Sequence, residues 1–243
     1  MDNATALQPI WDWMLTHIGA GFMSNPAFLF TCVVLGVYVP GIVFSVVDVF
    51  ITRRLTLAQC AAVYWRAMKG YSIAYVVGMV LLLSVPLPFS VKIPVVAPSL
   101  KEFFTDLLLY FLIGDFASYV WHRLEHAHGL YAKKVHIVHH TDKPPLSIWT
   151  AMVVHPIEGL SVFFFFHIYG IVSAIHPLTF AVAAFTLTAV TMVTHCGYRL
   201  PIYDWFFATA MGHNLHHSQR EPVNVSVVLT LCDRLFGTYR KPA

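Results

Sequence analysis

The chain has 243 residues, 58% of them hydrophobic and only 11% charged, with a formal net charge of +3. Soluble domains carry about 25% charged residues, so this composition excludes an ordinary soluble domain and points to a polytopic membrane protein. The small net charge gives no reason to expect a nucleic-acid partner. The four cysteines form no C-x-x-C pair, which argues against a disulfide framework or a sulfur-ligated metal.

Residues 1–25 contain Trp11, Trp13 and His17 but no Lys or Arg. They read either as a helix lying in the headgroup region or as a frayed end, not as a signal peptide, which needs a basic start. Residues 27–50 form a first apolar stretch long enough for a hydrocarbon core of about 30 Å, with Pro40 and Gly41 as a possible kink and Asp48 near its polar end. Arg53, Arg54, Arg66 and Lys69 follow around a short amphipathic stretch. A second span covers residues 71–89, and a proline-rich turn over 86–98 reverses the chain. A third span begins near Leu100 and continues as a helix into His122 and His126.

After Pro144 and Pro145 come two apolar segments, 147–172 and 177–194, which read as a helical hairpin. The first carries His155 and four consecutive phenylalanines, Phe163 to Phe166. Ordinary lipid-facing packing suits those rings better than the wall of a substrate channel. Residues 203–211 are short and aromatic, hence interfacial. With each span counted as one crossing, only Lys92 and Lys101 of the 15 Lys and Arg residues fall on the side opposite the histidines. The positive-inside rule then puts the histidines on the cytoplasmic face. The expected fold is all-α, with about four to five membrane helices. Residues 1–100 supply the N-terminal ones, and 101–243 form one continuous catalytic region.

Histidine is the unusual residue, with 14 copies. His122 and His126 are spaced H-x-x-x-H. His136, His139 and His140 form H-x-x-H-H, and so do His213, His216 and His217. Residues i and i+4 share a helix face, so His122 and His126 can grip one ion. Helical neighbours diverge by about 100°, so in each H-x-x-H-H one of the adjacent pair can face a second ion. The three clusters thus supply ligands for two metals, with His195 as a ninth candidate and His155 as a weaker tenth. His17, His167 and His176 read as hydrogen-bonded core residues, and His128 as a loop or surface residue. Two other readings use the same residues. His122, Glu125 and His126 match the inverted zinc-hydrolase pattern H-x-x-E-H, with Glu125 as general base. A metal transporter is the other, although transporter sites sit near the bilayer midplane.

The boxes resemble the signature of the fatty acid hydroxylase superfamily, also called the sterol desaturase family. The resemblance covers roughly residues 105–240. It includes Asp115-Phe116 before the first box, His155-Pro156-Ile157-Glu158 after the second, His195-Cys196-Gly197-Tyr198 before the third, and Asp233-Arg234-Leu235-Phe236-Gly237-Thr238 near the end. The chain differs from many relatives in having Cys232 before Asp-Arg and Val225 after Asn224.

The resemblance implies a membrane di-iron oxygenase that hydroxylates or desaturates a sterol, sphingoid or fatty acyl lipid taken from the bilayer. It implies His122, His126, His136, His139, His140, His213, His216 and His217 as ligands, with His195 added, and two iron ions as cofactor, zinc being possible in purified protein. Asp115 can orient an imidazole and Glu158 can orient His155, or either can equally cap a helix or pair with a nearby Lys or Arg. With no His-Pro-Gly-Gly haem motif, electrons are expected from a separate cytochrome b5-like protein, ferredoxin or reductase. The expected membrane is the endoplasmic reticulum or a bacterial cytoplasmic membrane. Oligomeric state and the particular lipid are not legible.

Overall fold

The computed structural model describes residues 6–84, 93–127, 129–201, 205–219 and 222–242. Lys92, His128 and the first part of the proline-rich turn lie outside them. Among the described residues the fold is all-α, with one isolated bridge between Phe207 and Leu229.

Helix α1 (Gln8–His17) and the single turn α2 (Ala20–Met23) lead into α3 (Pro26–Val46). Trp11 is fully buried and its indole N–H donates to the Pro94 carbonyl at 2.9 Å. Residues 8–17 are thus helical rather than frayed, and Trp11 is tied to the turn before the third long helix. Trp13 remains exposed.

Helix α3 starts with Asn25 accepting from the Ala27 amide and Pro26 in the first turn, a favoured start because the missing N–H would be unpaired anyway. It runs past Pro40 and widens into a π turn, Val47–Ile51, which delivers the buried Asp48. Helix α4 (Leu57–Ser84) begins well before the expected span start. Thr56 and Gln59 form a capping box there, and no proline interrupts the chain beyond it, so the amphipathic stretch and the span are one helix. Ser99 and Glu102 cap α5 (Leu100–Ala127) in the same way.

Among the described residues three helices are long and apolar enough to cross a membrane: Pro26–Ile51, Leu57–Ser84 and Leu100–Ala127. At 28 residues, α5 is about 42 Å long, more than a hydrocarbon core of about 30 Å, so its last turns project beyond the core and carry His122 and His126. Outward-facing Ile42, Val80, Phe104 and Leu108 are exposed, as a lipid-facing surface requires. The hairpin is α7 (Pro156–Val172) and α8 (Pro177–Val193), each 17 residues. Helix α8 packs along α3, and α7 is held between α4 and α5. Close approach depends on glycines: a Cβ at Gly114 on α5 would stand 2.5 Å from the Phe166 carbonyl oxygen, and one at Gly36 on α3 would stand 2.7 Å from that of Phe185. The remaining elements are α6 (Gly129–Lys134), 3₁₀ turns at His136–Thr141 and Ile148–Met152, α9 (Ala210–Ser218) and α10 (Leu231–Leu235). Residues 205–209 are not helical.

Candidate metal centre

The second histidine box is wound as a 3₁₀ turn rather than the expected α-helix. Pro144 disfavours helical backbone just beyond it, and short helical runs commonly take the tighter form. The first box sits on the last turns of α5 and the third on α9, whose start is fixed by Thr209 accepting from the Gly212 amide.

These elements converge. His122, His126, His136, His140 and His216 form one cluster in which the ligand nitrogens all lie within 4.8 Å of one another. His139, His195, His213 and His217 form a second. Both adjacent pairs, His139–His140 and His216–His217, are split between the clusters. Within the first, the Nε2 atoms of His136 and His140 are 2.9 Å apart, those of His136 and His126 3.1 Å, and those of His126 and His216 3.3 Å. In the second, His195 Nε2 is 2.8 Å from His213 Nε2 and 3.4 Å from His139 Nε2.

Tautomers show what these nitrogens are for. His122 Nδ1 donates to the Val225 carbonyl at 2.9 Å, His216 Nδ1 to that of Val223 at 2.8 Å and His195 Nδ1 to that of Thr191 at 3.0 Å. His136 Nδ1 is hydrogen-bonded to Glu158 Oε1 at 2.8 Å. A carbonyl only accepts, so the proton is on Nδ1 and the inward Nε2 is a bare lone pair. His122 Nε2 is buried without a partner. Lone pairs crowded this closely repel unless a cation lies between them. A metal–nitrogen bond of about 2.1 Å puts two ligand nitrogens about 3.0 Å apart at a right angle and about 3.4 Å apart in a tetrahedron, the range seen in both clusters. The residues therefore fit two metal ions.

Burial keeps the imidazoles neutral, as ligands must be. It lowers His195 to about 4 and, with the nearby His195, His139 to about 3. His136, His140, His213, His216 and His217 are pushed well below the ordinary histidine range by burial first and neighbouring imidazoles second.

Around the clusters the contacts distinguish between the roles left open for the acidic residues. Asp115 orients no imidazole directly; its Oδ1 accepts the Val228 and Leu229 amides at 3.2 and 3.3 Å, because those residues cross α5 where the carboxylate is buried. Glu158 serves His136 rather than His155, since it sits one turn into α7 and faces the 3₁₀ turn. His155 is outside both clusters; it caps α7 through Nδ1, which accepts from the Ile157 amide. Glu125 is buried, accepts from the Tyr131 hydroxyl, and has Oε2 3.6 Å from His136 Nδ1. Of the three histidines read as core residues, His167 is buried, His176 is half-buried and His17 is exposed, though each is hydrogen-bonded. His167 is bonded to the Tyr110 hydroxyl, His176 caps α8, and His17 bonds the Trp13 carbonyl.

Sequence reasoning missed one clamp. Arg54 makes a two-pronged contact with Asp48, at 2.9 and 3.0 Å, and donates to the Cys196 carbonyl at 2.9 Å. Tyr198 donates to Asp48 and lies under the Arg54 guanidinium. This pins the residues after His195 to the end of α3. Only the buried charge at Asp48 hinted at it.

A cavity of about 70 Å³ touches both clusters, reaching His122 on one side and His139, His195 and His213 on the other. Its other walls are largely apolar and include Met152, Val162, Phe166 and Val225. Of the four phenylalanines, only Phe166 lines it. Phe163 stacks on Phe30, Phe165 on Trp121, and Phe164 is exposed.

Comparisons with known proteins agree with this arrangement. The chain is 27% identical over 233 residues to a cholesterol 25-hydroxylase-like protein of Caenorhabditis briggsae, covering 88% of this chain and 76% of that one. It is 28% identical to a cholesterol 25-hydroxylase-like protein of Danio rerio, covering 96% of this chain and 97% of the relative. It is 33% identical to methylsterol monooxygenase 2-2 of Arabidopsis thaliana, over 58% of this chain and 54% of the relative. No solved structure matches the chain. The family model for fatty acid hydroxylase matches residues 107–238, from the middle of α5 through both histidine clusters to the residues that follow α10. More than half of the chain, including every histidine of the two clusters, thus falls within that match, and the chain belongs to the fatty acid hydroxylase family.

Proposed function

We propose that the protein is a multi-pass membrane oxidoreductase that inserts one oxygen atom of dioxygen into a C–H bond of a sterol or acyl lipid. In this reading five histidines hold one iron ion and four hold another. The observation that carries it is the pair of clusters interleaved through His139–His140 and His216–His217, with one cavity bordering both. When bound, the iron pair supplies the redox chemistry with dioxygen that an unactivated C–H bond requires and that no side chain provides.

The chain's own residues do the rest. His122, His195 and His216 keep a proton on Nδ1, held by a carbonyl, so Nε2 stays free to bind, and Glu158 holds His136 through Nδ1. Met152, Val162, Phe166 and Val225 keep water from the cavity and receive a hydrocarbon segment. The second oxygen atom leaves as water, which takes two electrons and two protons per turnover. These come from an external donor, a cytochrome b5-like protein, a ferredoxin or a reductase. Lys133 and Lys134, beside the second box, suit an acidic partner on the cytoplasmic face. The relatives named for sterol hydroxylation and methylsterol oxygenation support a lipid substrate. A zinc hydrolase built on His122, Glu125 and His126 would leave the four-histidine cluster without a purpose.

The test is untargeted lipidomics of cells with and without the gene. A lipid heavier by one oxygen and dependent on the gene is the expected result. A new free acid or alcohol from hydrolysis, with no oxygenated product, would exclude this reading.

A further inference from the structure

The residues after the third box form a strap, 223–230, that crosses the first cluster. Two of its carbonyls hold cluster imidazoles: Val223 accepts from His216 and Val225 accepts from His122. Among the described residues these are the hydrogen bonds of the two Nδ1 atoms. The strap is gripped at two points by buried carboxylates. Asp233 Oδ1 accepts the Val225 amide at 2.8 Å and Oδ2 accepts the Ser226 amide at 3.1 Å. Asp115 Oδ1 accepts the Val228 and Leu229 amides. Both aspartates are almost wholly buried, at 1% and 2% exposure, and neither bonds a histidine. Asn224, at a φ of 48°, turns the strap and bonds the Gly212 carbonyl, so the strap is also fixed to α9.

We infer that Asp115 and Asp233 are positioning residues for one metal of the two: through the strap they set His122 and His216, and hence the five-histidine cluster. Among the described residues no strap carbonyl bonds an imidazole of the four-histidine cluster, whose His195 is held by Thr191 on α8; the strap reaches that cluster only through the Asn224–Gly212 bond to the start of α9. This inference rests on the two-metal reading. Its logic is that of an outer partner orienting a ligand imidazole, with a peptide unit inserted between carboxylate and ring, and loss of such partners typically weakens metal binding roughly 10- to 100-fold.

The atoms distinguish conservative changes. Both bonds to Asp115 go to one oxygen, so Asp115→Asn retains the acceptor, whereas Asp115→Ala removes it. Asp233 uses both oxygens and also accepts from the Thr238 hydroxyl. In Asp233→Asn one strap contact is therefore faced by an amide NH₂, which cannot accept.

The experiment uses the full-length protein in nanodiscs, stripped of metal and titrated anaerobically with cobalt(II). Metal bound per chain is counted by mass spectrometry, and melting of the metal-free forms is followed in parallel. Wild type and Asp115→Asn are expected to bind two ions. Asp115→Ala and Asp233→Asn are expected to keep one ion at wild-type affinity and to bind the other roughly 10- to 100-fold more weakly. His213→Ala in the same background should then remove the ion that remains. Two ions at unchanged affinity in both carboxylate variants overturn the inference. So does parallel loss of both ions, which would make the aspartates general supports of the fold. Fewer than two ions in the wild type would instead refute the two-metal reading itself.

Discussion

His139 and His140 are neighbours in the chain and belong to different clusters. His140 Nε2 lies 2.9 Å from His136 Nε2, and His139 Nε2 lies 3.4 Å from His195 Nε2. One peptide unit thus links the two clusters, and on the two-metal reading damage on either side of it should be separable by metal content but not by activity. His140→Ala is expected to weaken metal in the five-histidine cluster and His139→Ala metal in the four-histidine cluster. Each is expected to abolish lipid oxygenation, and metal analysis alongside an activity assay checks both. Full activity in either variant would contradict a centre that needs both halves.

Glu125 and Glu158 both approach His136, but only Glu158 is at hydrogen-bond distance, 2.8 Å against 3.6 Å. Glu158→Ala is expected to weaken metal binding about 10- to 100-fold. Glu125→Gln is expected to retain substantial turnover, because Glu125 moves no proton in this chemistry. A general base contributes about 10²- to 10⁴-fold, so near-total loss in Glu125→Gln would revive the hydrolase reading.

The clamp of Asp48 on Arg54 is buried on the carboxylate side and mostly covered on the other, with the Arg54 side chain 19% exposed. Removing one partner of such a pair strands the other, which costs about 3–5 kcal/mol. Asp48→Ala is expected to lower stability by about that amount and to loosen metal in the four-histidine cluster, since Arg54 also holds the Cys196 carbonyl next to His195. Denaturant unfolding with and without metal measures both effects. A shift below about 1 kcal/mol would mean that the pair behaves like an exposed one.

Gly114 brings α5 against α7 directly beneath the cavity. With Phe166 oxygen 2.5 Å from where a Cβ would stand, Gly114→Ala must push the helices apart. The expected destabilisation is about 1–3 kcal/mol, together with reduced turnover because Phe166 moves. A variant as stable and active as wild type would show that the two helices can separate freely.

Much of this arrangement was legible in the sequence, because metal ligation and helix geometry impose spacing. The H-x-x-x-H and H-x-x-H-H boxes contain eight of the nine histidines of the two clusters, and adjacent histidines on a helical turn must point in different directions. The length of α5 was readable as one apolar run ending in two histidines. What spacing does not encode is which distant segment a side chain meets. Asp115 and the Val228 amide are far apart in the chain, as are Asp48 and Tyr198, and neither pairing leaves a local pattern. Spacing allows Glu158 to serve its sequence neighbour His155, whereas the fold gives it to His136. The early start of α4 was readable from Thr56 and Gln59, but hydropathy drew attention to the apolar part alone.

The most direct test of the central claim is turnover of the purified protein under ¹⁸O₂ with a supplied reductant and a lipid extract, read by mass spectrometry of the product. The account predicts a lipid carrying one ¹⁸O atom from dioxygen, made by protein with two metals per chain and absent for His139→Ala and His140→Ala. Product formed equally well without dioxygen, or carrying oxygen from water alone, would contradict it.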